Sequence, residues 1–320
     1  MAVSSPVSAA KAKLGYAIES SFGDGASDYT LAFGVSQAIT TFGINNNMQP
    51  IYTLGSRKPI AIKELQFVGN LSVQFNPAID GTSQTSERQS LEWLRAVIDD
   101  TITTTGSGPY IHEVSVQDQG KLASLGIAFA VDNRGYEAKG WTASDITIET
   151  RPPNILQLTL NGQFRELNTV SSPSWNLPTH ISNAQPFTFA EATVDFGGDS
   201  TYPIRSCRIR LNNNLRREYL LADRHIGYYY PQRANIDARL DFVYSVAKDM
   251  IQSALNLSDL DYIELRFEQD GGDKFMAFKI EDLRFNEASL TGLTPVNLVV
   301  EGLVLVGKSL TVSWSGGATS

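Results

Sequence analysis

A single cysteine in 320 residues, Cys207, leaves no partner for an intramolecular disulfide, so packing alone must hold the fold together. Histidine is nearly as scarce. His112, His180 and His225 stand at no metal-ligand spacing from one another, from Cys207 or from a helical carboxylate pair, which argues against a zinc site. No GxSxG, P-loop or strand-borne GxGxxG is found, and the expectation is a chain that is not an enzyme and takes no cofactor and no metal. Asp270-Gly-Gly-Asp273 is too short for an EF-hand loop and reads as a hairpin turn. Asn70-Leu-Ser72 and Asn256-Leu-Ser258 are glycosylation sequons by letter only. No apolar run approaches the roughly 18 residues of a membrane span, and MAVSSPVSAAKAKLG lacks the apolar centre of a secretory signal, so no membrane insertion is expected. Positive charge is short as well. With 26 Lys+Arg against 34 Asp+Glu the net charge is -8, the wrong sign for a surface that grips phosphates.

What the chain does have is a repeat. Asn45 to Phe75 aligns without a gap on Asn212 to Phe242, and seven pairs are identical: Asn45/Asn212, Asn46/Asn213, Asn47/Asn214, Tyr52/Tyr219, Leu54/Leu221, Arg57/Arg224 and Phe75/Phe242. Chance would give about two such identities, so the self-similarity points to a duplicated structural unit. At the end of each copy Leu71, Val73 and Phe75 match Ala238, Leu240 and Phe242. They alternate with Asn70, Ser72 and Gln74, and with Asp237, Arg239 and Asp241, as a strand with one dry and one wet face does.

The fold class expected is mainly β: two tandem β-sandwich or barrel domains related by duplication, each with one flanking α-helix. The boundaries are an irregular arm over 1–30, a first domain over 31–166, a linker over 167–186 and a second domain over 187–320. The first strand of each unit covers Val35 to Ile44 and Pro203 to Leu211, which puts Cys207 on an apolar face as a small core filler. A helix follows each second strand. Ser86-Glu-Arg-Gln89 has the capping-box form ahead of Leu91, Leu94, Val97 and Ile98, and Ala247, Met250, Ile251, Ala254 and Leu255 recur at helical spacing. Leu125, Ile127 and Phe129 lead to the turn at Asp132, as Ile263, Leu265 and Phe267 lead to Asp270. The strand Ile155 to Phe164 aligns with Val296 to Val304, so Gly162 and Gly302 share an inward position of close backbone approach.

Between the first two strands of each unit lie about twenty residues with little alternation, longer than most loops in compact domains. They include Met48, Ile51, Leu54, Ile60 and Ile62, and a disordered tail would not keep Tyr, Leu and Arg at matching places. An ordered arm that buries these residues against a partner is one reading, and an arm folded back on its own core the other.

Glu19-Ser-Ser-Phe-Gly23, then a strand, then NNNMQPIYTLGSRKP, then a strand pair and a helix, resembles the tail tube proteins of long-tailed bacteriophages and archaeal tailed viruses, in their tandem-duplicated, trimer-forming type. The resemblance implies sandwiches joined edge to edge around a channel, three chains closing a pseudo-sixfold ring, and arms reaching the adjacent ring. The arm residues are then Asn45, Asn46, Asn47, Met48, Tyr52, Leu54 and Arg57, with Asn212, Asn213, Asn214, Tyr219, Leu221 and Arg224. It implies as partners copies of the chain itself, other tail proteins (tape measure, tail terminator, tail tip) and double-stranded DNA passing without specific binding. The setting implied is a virion tail assembled in host cytoplasm. The wet faces supply the candidate lumen: Gln66, Asn70, Ser72, Gln74, Asn235, Asp237, Arg239 and Asp241, an acidic to neutral wall along which phosphate slides. The competing readings are a tandem β-sandwich that binds a receptor, carbohydrate or protein, or decorates a virion, and, last, a hydrolase. Trp93, Trp141, Trp175 and Trp314 have no repeated twin, which counts against the first, and the missing site constellations count against the second.

Overall fold

The computed structural model describes residues 13–52, 57–59, 61–118, 120–178, 180–181, 184–197, 204–221, 223–243, 260–291 and 300–317. The chain is mainly β. Its first half contributes β1 (Lys13–Ile18), β2 (Ser36–Asn45), β3 (Met48–Ile51), β4 (Ala61–Glu64), β5 (Val68–Asn76), a short helix α1 (Gln84–Ser90), β6 (Thr103–Thr105), β7 (Ile111–Ser115), β8 (Leu125–Val131), β9 (Arg134–Thr150), β10 (Gln157–Phe164) and β11 (Glu166–Ser171). Its second half contributes β12 (Ala192–Phe196), β13 (Ile204–Asn212), β14 (Arg216–Tyr219), β15 (Ile226–Tyr230), β16 (Asn235–Val243), β17 (Leu260–Gln269), β18 (Lys274–Thr291), β19 (Val300–Gly307) and β20 (Ser309–Gly316). The expected second helix, over Ala247 to Leu255, lies outside the described residues, as does Leu54.

Strands pair in the order β2-β5-β10-β9-β13-β16-β19-β18 across one antiparallel layer, and the two halves enter it with the same internal order. The long strands turn the corner into a second layer. The start of β9 pairs with β8 and β11, while its end pairs with β10 and β13. Gly140 (φ 65°) sits at that corner in β9 and Asp282 (φ 53°) at the matching place in β18. Strands that bend from one sheet to another close a sandwich without a separate connection. Between the layers one continuous apolar core runs through both halves, from Leu14 and Tyr16 through Leu71, Phe75 and Trp141 to Leu240, Phe278 and Trp314. Each such side chain contributes about 1.5–3 kcal/mol on burial.

The repeat is visible in backbone detail. Asn47 (φ 44°) and Asn214 (φ 45°) both take the left-handed conformation that asparagine tolerates. Each N–H reaches back to a side chain two residues earlier, Asn47 N to Asn45 Oδ1 (2.8 Å) and Asn214 N to Asn212 Oδ1 (2.9 Å). Each side-chain amide then donates to a carbonyl at the far foot of the arm, Asn47 Nδ2 to Gln66 O (3.0 Å) and Asn214 Nδ2 to Arg233 O (2.7 Å). The triple asparagine is therefore a clip that closes the base of each arm, the reason for its recurrence. These matches are consistent with duplication.

Other expectations shift. Residues 13–18, assigned to an irregular arm, form β1 on β8, and β12 occupies the corresponding place on β17. β11 pairs with β9 inside the segment assigned to the linker. Helix α1 is capped by Ser83, whose hydroxyl accepts from Ser86 N (3.2 Å), so Ser86 lies inside it. Leu91, Leu94, Val97 and Ile98 are buried as expected, but α1 stops at Ser90, and a tight 3-10 turn over Glu92–Ala96 holds Leu94, with Leu91 and Val97 at its two ends and Ile98 just past it.

The alignment of Gly162 with Gly302 does not hold. Leu160 pairs with Val73 and Leu303 with Leu240, so Leu303 is the counterpart of Leu160, and Gly302 falls on the opposite face, against Asp241 and Ser289. An odd slip in register exchanges the faces of a strand. Leu303 and Leu305 are buried while Val306 is exposed. Only Gly162 makes the close approach, since a Cβ there would stand 2.3 Å from the Trp141 ring.

Candidate functional site

The halves join through β9 and β13, which pair Ile209 with Ile148, Leu211 with Ile146 and Asn212 with Asp145. Cys207 opposes Thr150 in that seam, is buried, and has its thiol pushed up to about 12 by burial, the behaviour of a core filler. The same two edges recur at the ends of the layer without a partner among the described residues. β2 has β5 on one side only, and the last residues of β18 have β19 on one side only. The apolar pair at the β2 edge shows what is missing. Ile44 is 52% exposed and Phe42 38%, whereas their repeat counterparts Leu211 and Ile209 are 0% and 1%. An edge strand with unpaired backbone groups and exposed apolar side chains is a template for another strand.

The arms are two hairpins, β3 on β4 and β14 on β15. They expose Met48, Ile51, Tyr52, Ile62, Leu220, Leu221, Tyr228 and Tyr230, more apolar surface than a hairpin folded on its own core would leave. Arg57 is exposed. The second arm is braced from the first half. Glu19 accepts from the N–H groups of Gly23 (2.9 Å), Gly25 (3.0 Å) and Gly140 (2.9 Å), shaping a loop whose Phe22 ring lies 5.6 Å from Tyr229 and 6.1 Å from Tyr228. This gives Glu19-Ser-Ser-Phe-Gly23 its structural task. Arg224 does not point into solvent; its guanidinium meets Glu64 and Asn46 of the first half.

The outer face of the inner layer is polar from strand to strand. Asn70 is exposed, Gln74 half-buried and Ser72 buried, while Gln66 precedes β5 and is exposed. Asn235 and Arg239 are exposed, with Asp237 and Asp241 half-buried. Strand register adds neighbours that the repeat alone did not indicate: Asn161 beside Ser72, Arg210 between Thr147 and Asp237, and Arg208 between Glu149 and Arg239. Ser206 Oγ donates to Asp241 Oδ2 (2.6 Å). Arg208, Arg210 and Arg239 offset much of the acidity expected of this wall. Among the described residues no group of three His, Cys, Asp or Glu side chains is placed to hold a metal ion, and no helix is long and apolar enough to cross a membrane.

A second contact ties the halves. Strand β7, with β6 behind it, adds to β20 of the second half, and His112 faces Trp314 in the register. His112 stacks on the Trp314 ring (5.4 Å), Trp314 Nε1 donates to Glu87 O (3.0 Å), His112 Nδ1 lies 2.8 Å from Thr104 Oγ1, and His112 Nε2 stands 3.4 Å from Glu87 Oε2. Burial, assisted by Arg88, lowers the His112 pKa to about 4. The unfolded chain therefore binds this proton first, near the ordinary value of about 6.5, and its uptake draws stability away as pH falls from about 6.5 towards 4. His112→Gln should flatten that part of the profile. Urea midpoints of both proteins at pH 7 and 4.5 check it, and an equal loss in the two would disprove the role of His112.

The sequence matches the family model described as phage tail tube protein over residues 9–316. No curated protein matches it. The fold is mainly β, and a match across nearly the whole chain shows that the chain belongs to the phage tail tube proteins, structural components of the virion tail.

Proposed function

We propose that copies of this chain join head to tail into closed rings, that the rings stack through the two arms, and that the resulting tube conducts the genome into the host. The observation that carries this reading is the seam inside the chain, whose two edges are offered again, unpaired among the described residues, at β2 and at the end of β18. Transposing the seam gives its register. The bulges opposite Asn161 and Val304 make Asp145 the counterpart of Glu287 and Ile146 that of Ala288. Asn45 of one copy then faces Glu287 of the next, and Ile44 faces Ala288. Such a contact is heterologous, and heterologous contacts close into rings when the rotation per copy divides the circle. With two units per chain, three copies close a pseudo-sixfold ring.

In that ring the polar face carrying Asn70, Gln74, Asp237, Arg239 and Asp241 lines the channel. Mixed charge without a basic stripe lets double-stranded DNA pass without being held. The exposed residues of both arms, among them Met48, Tyr52 and Leu221, meet the adjacent ring, with the half-buried Tyr219 behind them. Tape measure, tail terminator and tail tip proteins are the further partners, and assembly takes place in the host cytoplasm. Cryo-electron microscopy of the purified chain tests the reading. Rings of three copies with the polar face inward are expected; monomers with sealed edges, or rings with Asp237 and Asp241 on the outside, would end it.

A further inference from the structure

Within the chain the turn of the second arm rests on the foot of the first half. Phe67 N donates to Arg224 O (2.9 Å), Arg224 Nη2 donates to Asn46 Oδ1 (2.6 Å), and the guanidinium pairs with Glu64. The same guanidinium lies over the Phe67 ring (5.9 Å), and the His225 ring is 5.4 Å from it. Three residues thus receive the turn: Asn46, Glu64 and Phe67. Along the repeat their counterparts in the second half are Asn213, Pro231 and Ala234, and the counterparts of Arg224 and His225 are Arg57 and Lys58. Asn213, Pro231 and Ala234 all line a cleft of about 1100 Å³. One place in the fold is filled in the first half and hollow in the second.

We infer that this cleft seats Arg57 and Lys58 of a second copy, so that the turn of the first arm grips the neighbour within the ring as the turn of the second arm grips its own first half. The inference rests on the ring reading above and adds a contact that the sheet edges do not require. The residues suit the exchange. Asn213 is fixed by two bonds from Nδ2, to Val97 O (2.8 Å) and Ala143 O (3.2 Å), which leaves its Oδ1 as the acceptor that Asn46 Oδ1 is for Arg224. Ala234 replaces a ring by a methyl group and makes room, while its backbone keeps the N–H that Phe67 uses. Pro231 removes the carboxylate of Glu64, and the replacement charge is Asp118, exposed in the cleft lining, since Asp100 is taken by Arg95 at 2.5 Å. The seat leaves the apolar surface of the hairpin, Met48, Ile51 and Ile62, for the next ring.

Cross-linking decides the matter. Lys58→Cys and Ala234→Cys proteins are made separately, mixed in equal amounts, allowed to assemble and treated with a short bismaleimide, Cys207 being buried. The expected product is a covalent dimer joined through positions 58 and 234, abundant in the mixture and absent from either protein alone. Gln232→Cys serves in place of Ala234→Cys if the latter shows a changed circular dichroism spectrum. The same samples are viewed by electron microscopy. Rings without the 58-to-234 link overturn the seat and leave the ring reading standing. Neither rings nor link overturns both.

Discussion

Ile44→Lys yields a folded monomer that no longer assembles. Ile44 stands on the open edge of β2, half exposed, while its counterpart Leu211 is wholly buried in the seam against β9. Covering a side chain of this size stabilises each contact by about 2 kcal/mol. A lysine withdraws that gain and adds the cost of desolvating a charge against an apolar neighbour, the device by which natural edge strands avoid pairing. The loss recurs at every contact between copies, so ring formation at micromolar concentration fails outright. Phe42 is a poorer probe because its ring also packs on Phe129 (5.1 Å) and Phe164 (6.0 Å), and changing it disturbs the monomer. Sedimentation velocity with a parallel thermal melt reads both quantities. Rings or tubes of unchanged abundance from the lysine variant would refute the β2 edge as the contact.

Trp314→Ala lowers the stability of the whole chain by about 3–5 kcal/mol, the range for deleting a buried aromatic side chain. Trp314 is fully buried on β20, stacks on His112 of β7, and donates from Nε1 to Glu87 O in α1. The indole is where the second half meets the two first-half elements that embrace it, so its removal opens a cavity between halves. Trp314→Phe keeps most of the ring, orphans the Glu87 carbonyl, and should cost only about 1–3 kcal/mol. Equilibrium urea unfolding separates the two. A loss under 1 kcal/mol for the alanine variant would mean that β6 and β7 merely lie on β20 without holding it.

The parts of this architecture legible in the sequence are those whose causes are local. β5 from Asn70 onward and β16 up to Phe242 alternate apolar and polar residues, and the asparagine clips use three consecutive residues, so both are readable without a partner strand. β7 and β20 are a different case. Their pairing spans some two hundred residues, and neither IHEVS nor SLTVSWSG carries a sign of the other. β1 was masked by the small, polar composition around it, although Tyr16 is buried and its backbone pairs with Ile127. The slip at Gly302 has an equally physical source. The stretch joining these strands is shorter in the second half, since Leu240 follows Val73 by 167 residues but Leu303 follows Leu160 by 143, and a chance glycine at an offset of 140 then looked equivalent to Gly162. At the candidate interface, Phe42 and Ile44 were readable as apolar strand residues. That no strand among the described residues pairs with the outer edge of β2 depends on strand order, which local sequence does not encode. Arg208 and Arg210 were missed on the polar face for the same reason.

The β6 and β7 hairpin reaches across one junction, the one inside the chain, and among the described residues the second half offers no like hairpin to the next copy. A ring made of such chains has joints of two kinds in alternation. One kind is bound by a covalent tether and an embracing hairpin; the other relies on strand pairing and the arm turn. Under tension, dilution or denaturant the weaker joints part first, and the cylinder comes apart into whole chains with their two lobes still clasped.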